Sequence, residues 1–163
     1  MVDSALGNDV DRCIERLIAA VRDAGCTVGT AESLTGGQLA AAFSAAPEAG
    51  EWYRGGIVAY HPEVKYNLLE TPVGPVVTPE TAAAMACSTA HMLGANYTVA
   101  LTGVGGPGPD EGQPPGTVYL ATFTAGREPI IEHFRFDGEP VEVMEQTICA
   151  ALTALAELIE QNT

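Results

Sequence analysis

The stretch 97–116 restricts the fold more than any other part of the sequence. YTVALTG (97–103) is a run of β-branched and apolar residues, which predicts a buried strand. A segment rich in proline and glycine, GPGPDEGQPPG (106–116), follows and predicts a loop. The segments TVYLATFTA (117–125) and IIEHFRF (130–136) then flank GREP and predict an antiparallel hairpin.

Helical periodicity alternates with short apolar runs in the rest of the chain. Apolar residues recur at helical spacing over 10–21, with Asn8 or Asp9 as the expected cap and Gly25 as the stop. The other expected elements are strands at 27–31 and 55–61, and helices near 36–46, from Pro62 onward, over 79–93 after a Thr78 cap, and over 140–161. This order predicts a single α/β domain over residues 1–163, with three layers (α/β/α) and a mixed β-sheet.

The charge of the chain disfavours several classes of partner. Twenty-one acidic residues against seven basic ones give a net charge of −14. Nucleic acids and anionic membranes attract basic surfaces, so neither partner is expected. An acidic surface with scarce lysine is typical of a halophilic cytoplasmic protein, although an ordinary acidic cytosolic protein has the same composition. The N-terminal MVDSALGNDVDR lacks the pattern of a secretion signal.

The cysteines and histidines show no spacing typical of a metal site. They are Cys13, Cys26, Cys87, Cys149, His61, His91 and His133. The cysteines form no CxxC pair, and cysteines on apolar helical faces are most often buried free thiols. The sequence therefore predicts neither disulfides nor a bound metal.

AYHPEVK (59–65) contains Lys65, the only lysine of the chain. A lysine is usually a solvated surface residue. In this chain, however, a solvated position would be expected to carry aspartate, glutamate or arginine. The position of Lys65, five residues after Tyr60 at the end of a predicted strand, therefore favours a role in a site.

Two further segments are candidates for a site. In TAESLTGG (30–37), Ser33 lies between a predicted strand and a helix, where a serine can be a nucleophile beside free backbone N–H groups. The local pattern alone favours the simpler interpretation that Ser33 or Thr35 caps the helix. The stretch 103–108 matches GxGxxG, but the prolines that follow exclude a dinucleotide-binding helix. The loop is either a ligand-binding wall or a rigid connector.

Taken together, these segments resemble the CinA C-terminal domain family, which includes nicotinamide mononucleotide (NMN) deamidases. TAESLTGG is similar to the leading motif of the family, GGIVAYHPEVK (55–65) to its tyrosine–lysine segment, and LTGVGGPGPDEGQPPGTVYLA (101–121) to its glycine-rich loop. The resemblance covers roughly residues 9–161. Many relatives carry an additional N-terminal domain, which is not expected in this chain.

The resemblance implies a hydrolase that converts NMN to nicotinate mononucleotide and ammonia, without a metal or a cofactor. Ser33 is then the nucleophile, Lys65 the base, and Tyr60 the residue that orients the lysine or relays the proton. The expected substrate-binding residues are Thr35, Gly36, Gly37, Thr102, Gly103, Gly105 and Gly106, with the N–H groups near Gly36 and Gly37 stabilising the oxyanion. A homo-oligomer is left open.

The chain departs from the family pattern at positions that are often basic. Gln113 stands where relatives often have lysine, and Met144 lies near the place of an arginine. Both changes remove a cation that could hold the 5′-phosphate, and Arg54 and Arg135 are the remaining candidates. The alternative function is therefore a catalytically weakened nucleotide-binding domain of the same family.

A lysine acts as a base only when it is neutral, so Lys65 is expected to be desolvated and free of carboxylate contact. Glu32 and Glu63 are the nearest carboxylates in the sequence that could oppose this.

Overall fold

A computed structural model describes residues 7–163 and places one five-stranded sheet at the centre of the protein. Residues 1–6, which begin the stretch compared with a secretion signal, lie outside the described part. The helices are α1 (Asn8–Ala24), α2 (Gln38–Ala45), α3 (Ala49–Trp52), α4 (Pro62–Leu69), α5 (Pro79–Leu93) and α6 (Pro140–Gln161). The strands are β1 (Val28–Glu32), β2 (Tyr53–Val58), β3 (Tyr97–Gly103), β4 (Thr117–Thr124) and β5 (Ile130–Arg135).

The sheet is mixed, as predicted. Its strand order is β2-β1-β3-β4-β5. The interior strand β1 pairs in parallel with β2 and with β3, whereas β3–β4 and β4–β5 are antiparallel. The predicted hairpin is the β4–β5 pair, and the loop 104–116 joins β3 to β4.

Helices cover both faces of the sheet, which confirms the three-layer α/β/α architecture. One face packs against α1, α6 and α2 through a core that includes Leu17, Phe43, Leu101 and Leu152. The other packs against α4 and α5 through a small-residue core around Ala82, Met85 and Ala86. Alanines on this second face allow α5 to approach the strands closely. Among residues 7–163, no helix combines the length and the apolar character that a membrane span requires.

Three differences from the predicted elements bear on the site or the helix order, beside shifts of one or two residues elsewhere. Gly7 occupies the N-cap of α1, rather than Asn8 or Asp9. The short helix α3 was not expected. Strand β2 ends at Val58, because His61 caps α4 and Pro62 occupies its first turn. Tyr60 therefore lies in the connection after β2 and not within the strand.

The expectation that no disulfide forms is wrong for one pair. Helices α1 and α6 pack side by side and bring the Cα atoms of Cys13 and Cys149 to 5.9 Å, and the two residues are joined as a disulfide. They are 136 residues apart in sequence, so their spacing along the chain carried no signal of this contact. Cys26 and Cys87 are free, and burial raises the pKa of both thiols.

Candidate active site

The predicted site residues meet at one edge of the sheet, where the parallel strands end. Ser33 follows β1, Tyr60 follows β2, and Thr102 is the second-last residue of β3. The chain leaves β1 through α2 on one face and leaves β2 through α4 and α5 on the other, so β1 and β3 flank a reversal of strand order. Ligands of open α/β sheets bind in the crevice at such a reversal.

A cavity of about 240 Å³ opens at this edge. Ser33, Tyr60 and Thr102 line it, together with Gly103, Gly105 and Gly106. The loop that the sequence offered as a ligand-binding wall also contributes Val104, Gly108 and Asp110, whereas sequence reasoning did not point to Leu34, Pro62, Val76 and Val77. The cavity therefore combines the end of β1, the connection after β2, residues 76–77, and the end of β3 with the glycine-rich loop.

Glu32 determines how the chain turns from β1 into α2. Its side chain is fully buried and accepts hydrogen bonds from the hydroxyl of Thr35 (2.6 Å) and from the N–H groups of Leu39 (2.8 Å) and Ala40 (3.0 Å). These amides belong to the first turn of α2, where a negative charge also compensates the helix dipole. Glu32 thus caps α2 and fixes the turn that carries Ser33. It makes no ion pair with Lys65 in the described chain.

Removal of this cap should destabilise the protein. In the Glu32→Ala variant, two amides and the Thr35 hydroxyl lose their buried acceptor, which is expected to lower the free energy of unfolding by about 3 kcal/mol. Urea denaturation measures this change. The matched variant Glu63→Ala, in the exposed first turn of α4, should stay within about 0.5 kcal/mol of the wild type. Equal stability of the two variants would show that the Glu32 cap contributes nothing.

Thr35, Gly36 and Gly37 do not line the cavity. The Thr35 hydroxyl is committed to Glu32, and the Gly36 N–H donates to the Ser33 carbonyl at 3.0 Å. In this conformation a tight turn therefore uses the Gly36 N–H, one of the donors expected for an oxyanion. By contrast, the N–H groups of Leu34 and Gly37 donate to no acceptor within residues 7–163, and Leu34 lines the cavity.

Lys65 is buried in α4, with 1% of its surface exposed. Its ammonium nitrogen donates to the backbone carbonyl of Tyr60 at 3.0 Å. Burial lowers the pKa of Lys65, and the charge of Glu111 opposes this by raising it. The carboxylate that acts on the lysine is therefore Glu111 and not Glu32 or Glu63. The expected desolvation of the only lysine is present, and no ion pair with it occurs in the described residues.

Ser33 and Lys65 are not in direct contact. Ser33 is buried, with 7% of its surface exposed, and its hydroxyl makes no hydrogen bond among the described residues. Lys65 does not line the cavity but bonds to Tyr60, which does and which is exposed. Tyr60 thus contacts the lysine through its carbonyl, whereas its phenol contacts no other polar group described here. A direct Ser33–Lys65 hydrogen bond is excluded in this conformation, and a bridging water stays a prediction.

The glycines of the loop have different roles. A Cβ at Gly103 would lie 2.5 Å from the Thr117 carbonyl, so glycine is needed there for close pairing of β3 with β4. Gly105 has open space around it, and the N–H groups of Gly105 and Gly106 donate to no acceptor in the described chain. The Thr102 hydroxyl donates to the Val76 carbonyl at 2.7 Å, so it braces the cavity wall rather than standing free for a ligand.

None of the residues proposed to replace the missing cations reaches the cavity. Arg54 lies at the opposite end of β2 from Tyr60, and its Nε donates to the Leu93 carbonyl at 2.9 Å. Arg135 ends β5, two strands away from β3, and Met144 packs against the core beneath α6. Asp110 is the only charged residue among those lining the cavity.

A larger cavity of about 570 Å³ lies between the start of α1 and α6. Asp9, Arg12, Glu145 and Gln146 supply its polar side chains, and it contains none of the predicted catalytic residues. Within residues 7–163, no group of three or more histidine, cysteine or acidic side chains is arranged to hold a metal.

Both the sequence and the fold are similar to those of known proteins. The family model described as CinA C-terminal domain matches residues 10–159. A CinA-like protein of Frankia casuarinae is 36% identical over 139 residues, which is 82% of this chain and 32% of the relative. The chain spans about a third of the length of the curated relatives it matches.

Solved structures resemble the chain over nearly its whole length. The competence damage-inducible protein A of Klebsiella pneumoniae has a TM-score of 0.90 at 29% identity, covering 96% of this chain and all (100%) of the solved one. The competence/damage inducible protein of Agrobacterium tumefaciens has a TM-score of 0.86 at 29% identity, covering 97% and 98%.

Proposed function

Because the chain belongs to the CinA C-terminal domain family, we propose that it is an amidase that converts NMN to nicotinate mononucleotide and ammonia. It would act as a single cytoplasmic domain, without a metal or a cofactor. The observation that carries the proposal is a buried lysine whose pKa is lowered and which is linked through Tyr60 to a cavity containing Ser33. Perturbed lysines beside a cleft are typical of catalytic sites.

The reaction proceeds in two steps. Ser33 Oγ attacks the carboxamide carbon while the neutral Lys65 amine accepts the hydroxyl proton. The proton passes to the departing nitrogen, the carbon–nitrogen bond breaks, and ammonia leaves an acyl ester on Ser33. Water, deprotonated by the same amine, then attacks the ester. As the ester bond breaks, the ammonium returns the proton to Ser33 Oγ, and the acid leaves with the serine and the neutral amine restored.

The oxyanion of each tetrahedral intermediate requires hydrogen-bond donors. The Leu34 N–H directly follows the nucleophile, and the Gly105 and Gly106 N–H groups lie across the cavity on the loop. All three are unused by the rest of the described chain. Backbone donors of this kind stabilise developing negative charge without reorganisation during the reaction. We assign the oxyanion to Leu34 N–H and the anionic part of the substrate to the loop.

The gap between Ser33 and Lys65 is closed by one water or by movement of the lysine side chain away from the Tyr60 carbonyl. Catalytic hydrogen bonds are often long in the absence of substrate and become shorter only in its presence. Release of the Tyr60 carbonyl also requires another donor for it, which a water at the cavity can supply.

The proposal is tested by incubating the purified protein with NMN in high salt and measuring ammonia. Release of ammonia together with nicotinate mononucleotide supports it. NMN binding without ammonia release supports the alternative, a binding domain that has lost efficient catalysis. The acidic lining of the cavity favours that alternative, since Asp110 repels a phosphate.

A lysine at position 113 should restore a phosphate contact. Residues Asp110 and Gln113 face each other across a tight turn, with backbone hydrogen bonds of 3.1 and 2.8 Å, so Gln113 lies next to the cavity lining. The Gln113→Lys variant is expected to raise kcat/KM for NMN by roughly ten- to a hundredfold relative to nicotinamide riboside, because a charged hydrogen bond contributes about 1.5–3 kcal/mol.

The control for this prediction is Gln161→Lys, which makes the same charge change elsewhere. Helix α6 starts beside Gly106, and Gln161 lies at its other end, about 30 Å away. This variant should leave the ratio of kcat/KM for NMN to kcat/KM for nicotinamide riboside unchanged. If the wild type already prefers NMN by several orders of magnitude and Gln113→Lys adds nothing, another group binds the phosphate.

A further inference from the structure

Glu111 links the glycine-rich loop to another wall of the cavity. Its carboxylate accepts hydrogen bonds from the Val76 N–H (2.7 and 3.1 Å to its two oxygens) and from the Val77 N–H (2.7 Å). Val76 and Val77 both line the cavity. A single side chain from the loop therefore fixes two backbone amides on the opposite segment.

The wall that Glu111 contacts, residues 74–77, is held at two further points. The Thr102 hydroxyl donates to the Val76 carbonyl, so both backbone groups of Val76 are fixed. Tyr66, the neighbour of Lys65 on α4, donates its hydroxyl to the Gly74 carbonyl. The wall thus connects the loop, β3 and α4, and a shift of Glu111 would be transmitted to all three.

The backbone of Glu111 supports a specific role. Its φ is 51°, in the left-handed region that residues with a Cβ seldom adopt. The residue lies in an exposed turn next to Gly112, so packing in the core does not account for its conformation. The carboxylate contacts with the Val76 and Val77 amides are the interactions that this conformation permits.

Glu111 also differs from the other charged groups around Lys65. On the elements near Lys65 the charged groups are Glu63 on α4, Glu70 at its C-cap, Glu80 and His91 on α5, Glu32 at the end of β1, and Glu111 on the loop. Glu32 is committed to α2, and Glu63 and Glu70 are exposed. Burial lowers the pKa of Lys65, and Glu111 is the charge that raises it.

We propose that Glu111 is a positioning residue for the amidase reaction: its carboxylate holds the wall 74–77, which Tyr66 joins to the helix that carries Lys65. The kinetic part of this inference rests on the proposed function. The effect of the Glu111 charge on the pKa of Lys65, called the coupling below, does not. The charge of Glu111 also raises the pKa of Lys65 against the effect of burial, so its loss should extend the pH range in which the base works to lower pH.

Three variants separate the two roles. Glu111→Gln keeps the shape and removes the charge, whereas Glu111→Asp keeps the charge and shortens the reach to the amides. Glu63→Gln is the control, because it removes the same charge from an exposed position two residues before Lys65. Each protein is labelled with lysine carrying ¹³C at Cε, and since Lys65 is the only lysine, one signal reports its titration.

The titration is recorded at the lowest salt that keeps the fold, because salt screens the charge of an exposed carboxylate. The midpoint of Lys65 is expected to move to lower pH in Glu111→Gln and to stay in place in Glu63→Gln. An unchanged midpoint in folded Glu111→Gln overturns the electrostatic part of the proposal. This measurement needs no catalytic activity.

The pH profile of kcat/KM for NMN tests the role in the reaction. The rising limb should shift to lower pH in Glu111→Gln, and the plateau should fall about tenfold in Glu111→Asp, where the wall is less firmly held. A plateau equal to that of the wild type in Glu111→Asp overturns the positioning role, and decides it even if Glu111→Gln does not fold. If the wild type releases no ammonia while the Lys65 midpoint still responds to Glu111, the proposed function fails and the coupling stands.

Discussion

Replacement of Ser33 by alanine is expected to abolish ammonia release from NMN, lowering kcat at least about 10⁴-fold, without changing the fold. The hydroxyl is the atom that would form the acyl ester, and no other hydroxyl lines the end of β1 in the described cavity. Ser33 makes no side-chain hydrogen bond that its removal would break, so circular dichroism and urea denaturation should match the wild type.

Ser44→Ala is the matched control for this loss. The Ser44 hydroxyl is exposed on α2 and bonds to the Ala41 carbonyl of its own helix. This variant should retain full activity. Activity of Ser33→Ala within about tenfold of the wild type would exclude a covalent serine mechanism and leave direct attack by water as the route.

Replacement of Lys65 by methionine is expected to have two opposite effects: loss of activity by at least about 10³-fold, and a gain in stability. The activity is lost because methionine cannot accept the serine proton. The double variant with Ser33→Ala should be no slower than the slower single variant, because the two groups act in one step. Full additivity of the two losses would contradict the pairing.

The stability gain follows from the direction of the pKa shift. Burial lowers the pKa of Lys65 in the folded state from its usual value near 10.5. At pH values between the lowered pKa of the folded state and the usual pKa of the unfolded state, the unfolded chain binds more protons. The contribution of Lys65 to stability therefore rises with pH across this window. Below the window, the folded state bears the cost of a buried charge. Lys65→Met removes that cost and should stabilise the protein at neutral pH by about 1 kcal/mol or more.

Urea denaturation at pH 7 and above pH 10 tests this expectation. The advantage of Lys65→Met over the wild type should shrink as the pH rises, whereas other titrating groups cancel in the comparison. A variant less stable than the wild type at pH 7 would show that the Lys65–Tyr60 hydrogen bond outweighs the burial of charge.

The fold could be predicted from the sequence because each element is marked locally. Thr78 and Gly94 bound α5 as predicted, and α6 begins and ends at residues 140 and 161 as the apolar spacing indicated. The mixed sheet was predicted from the alternation of helices and strands, followed by an antiparallel hairpin. The disulfide could not be predicted, since it depends on how α1 and α6 pack.

The site could be predicted only in part from the sequence. Lys65 was identified because a single lysine in an acidic chain is conspicuous, and its burial agrees with that reasoning. Glu32 and Glu111 were missed as structural residues. Acidic side chains in turns are usually exposed to solvent. Nothing in the local sequence shows that these two accept hydrogen bonds from amides elsewhere in the chain.

The pairing of β1 with β3 determines when the site can form during folding. Residues 28–31 pair with residues 97–100, about 70 positions further along the chain. Non-local pairing of this kind is slow, because the loop must close before the contacts compensate for its entropy. A nascent chain that has not yet emerged beyond β3 therefore has Ser33 and Lys65 but no crevice between them. Appearance of ligand binding would accordingly report on completion of the sheet, later than the local helices.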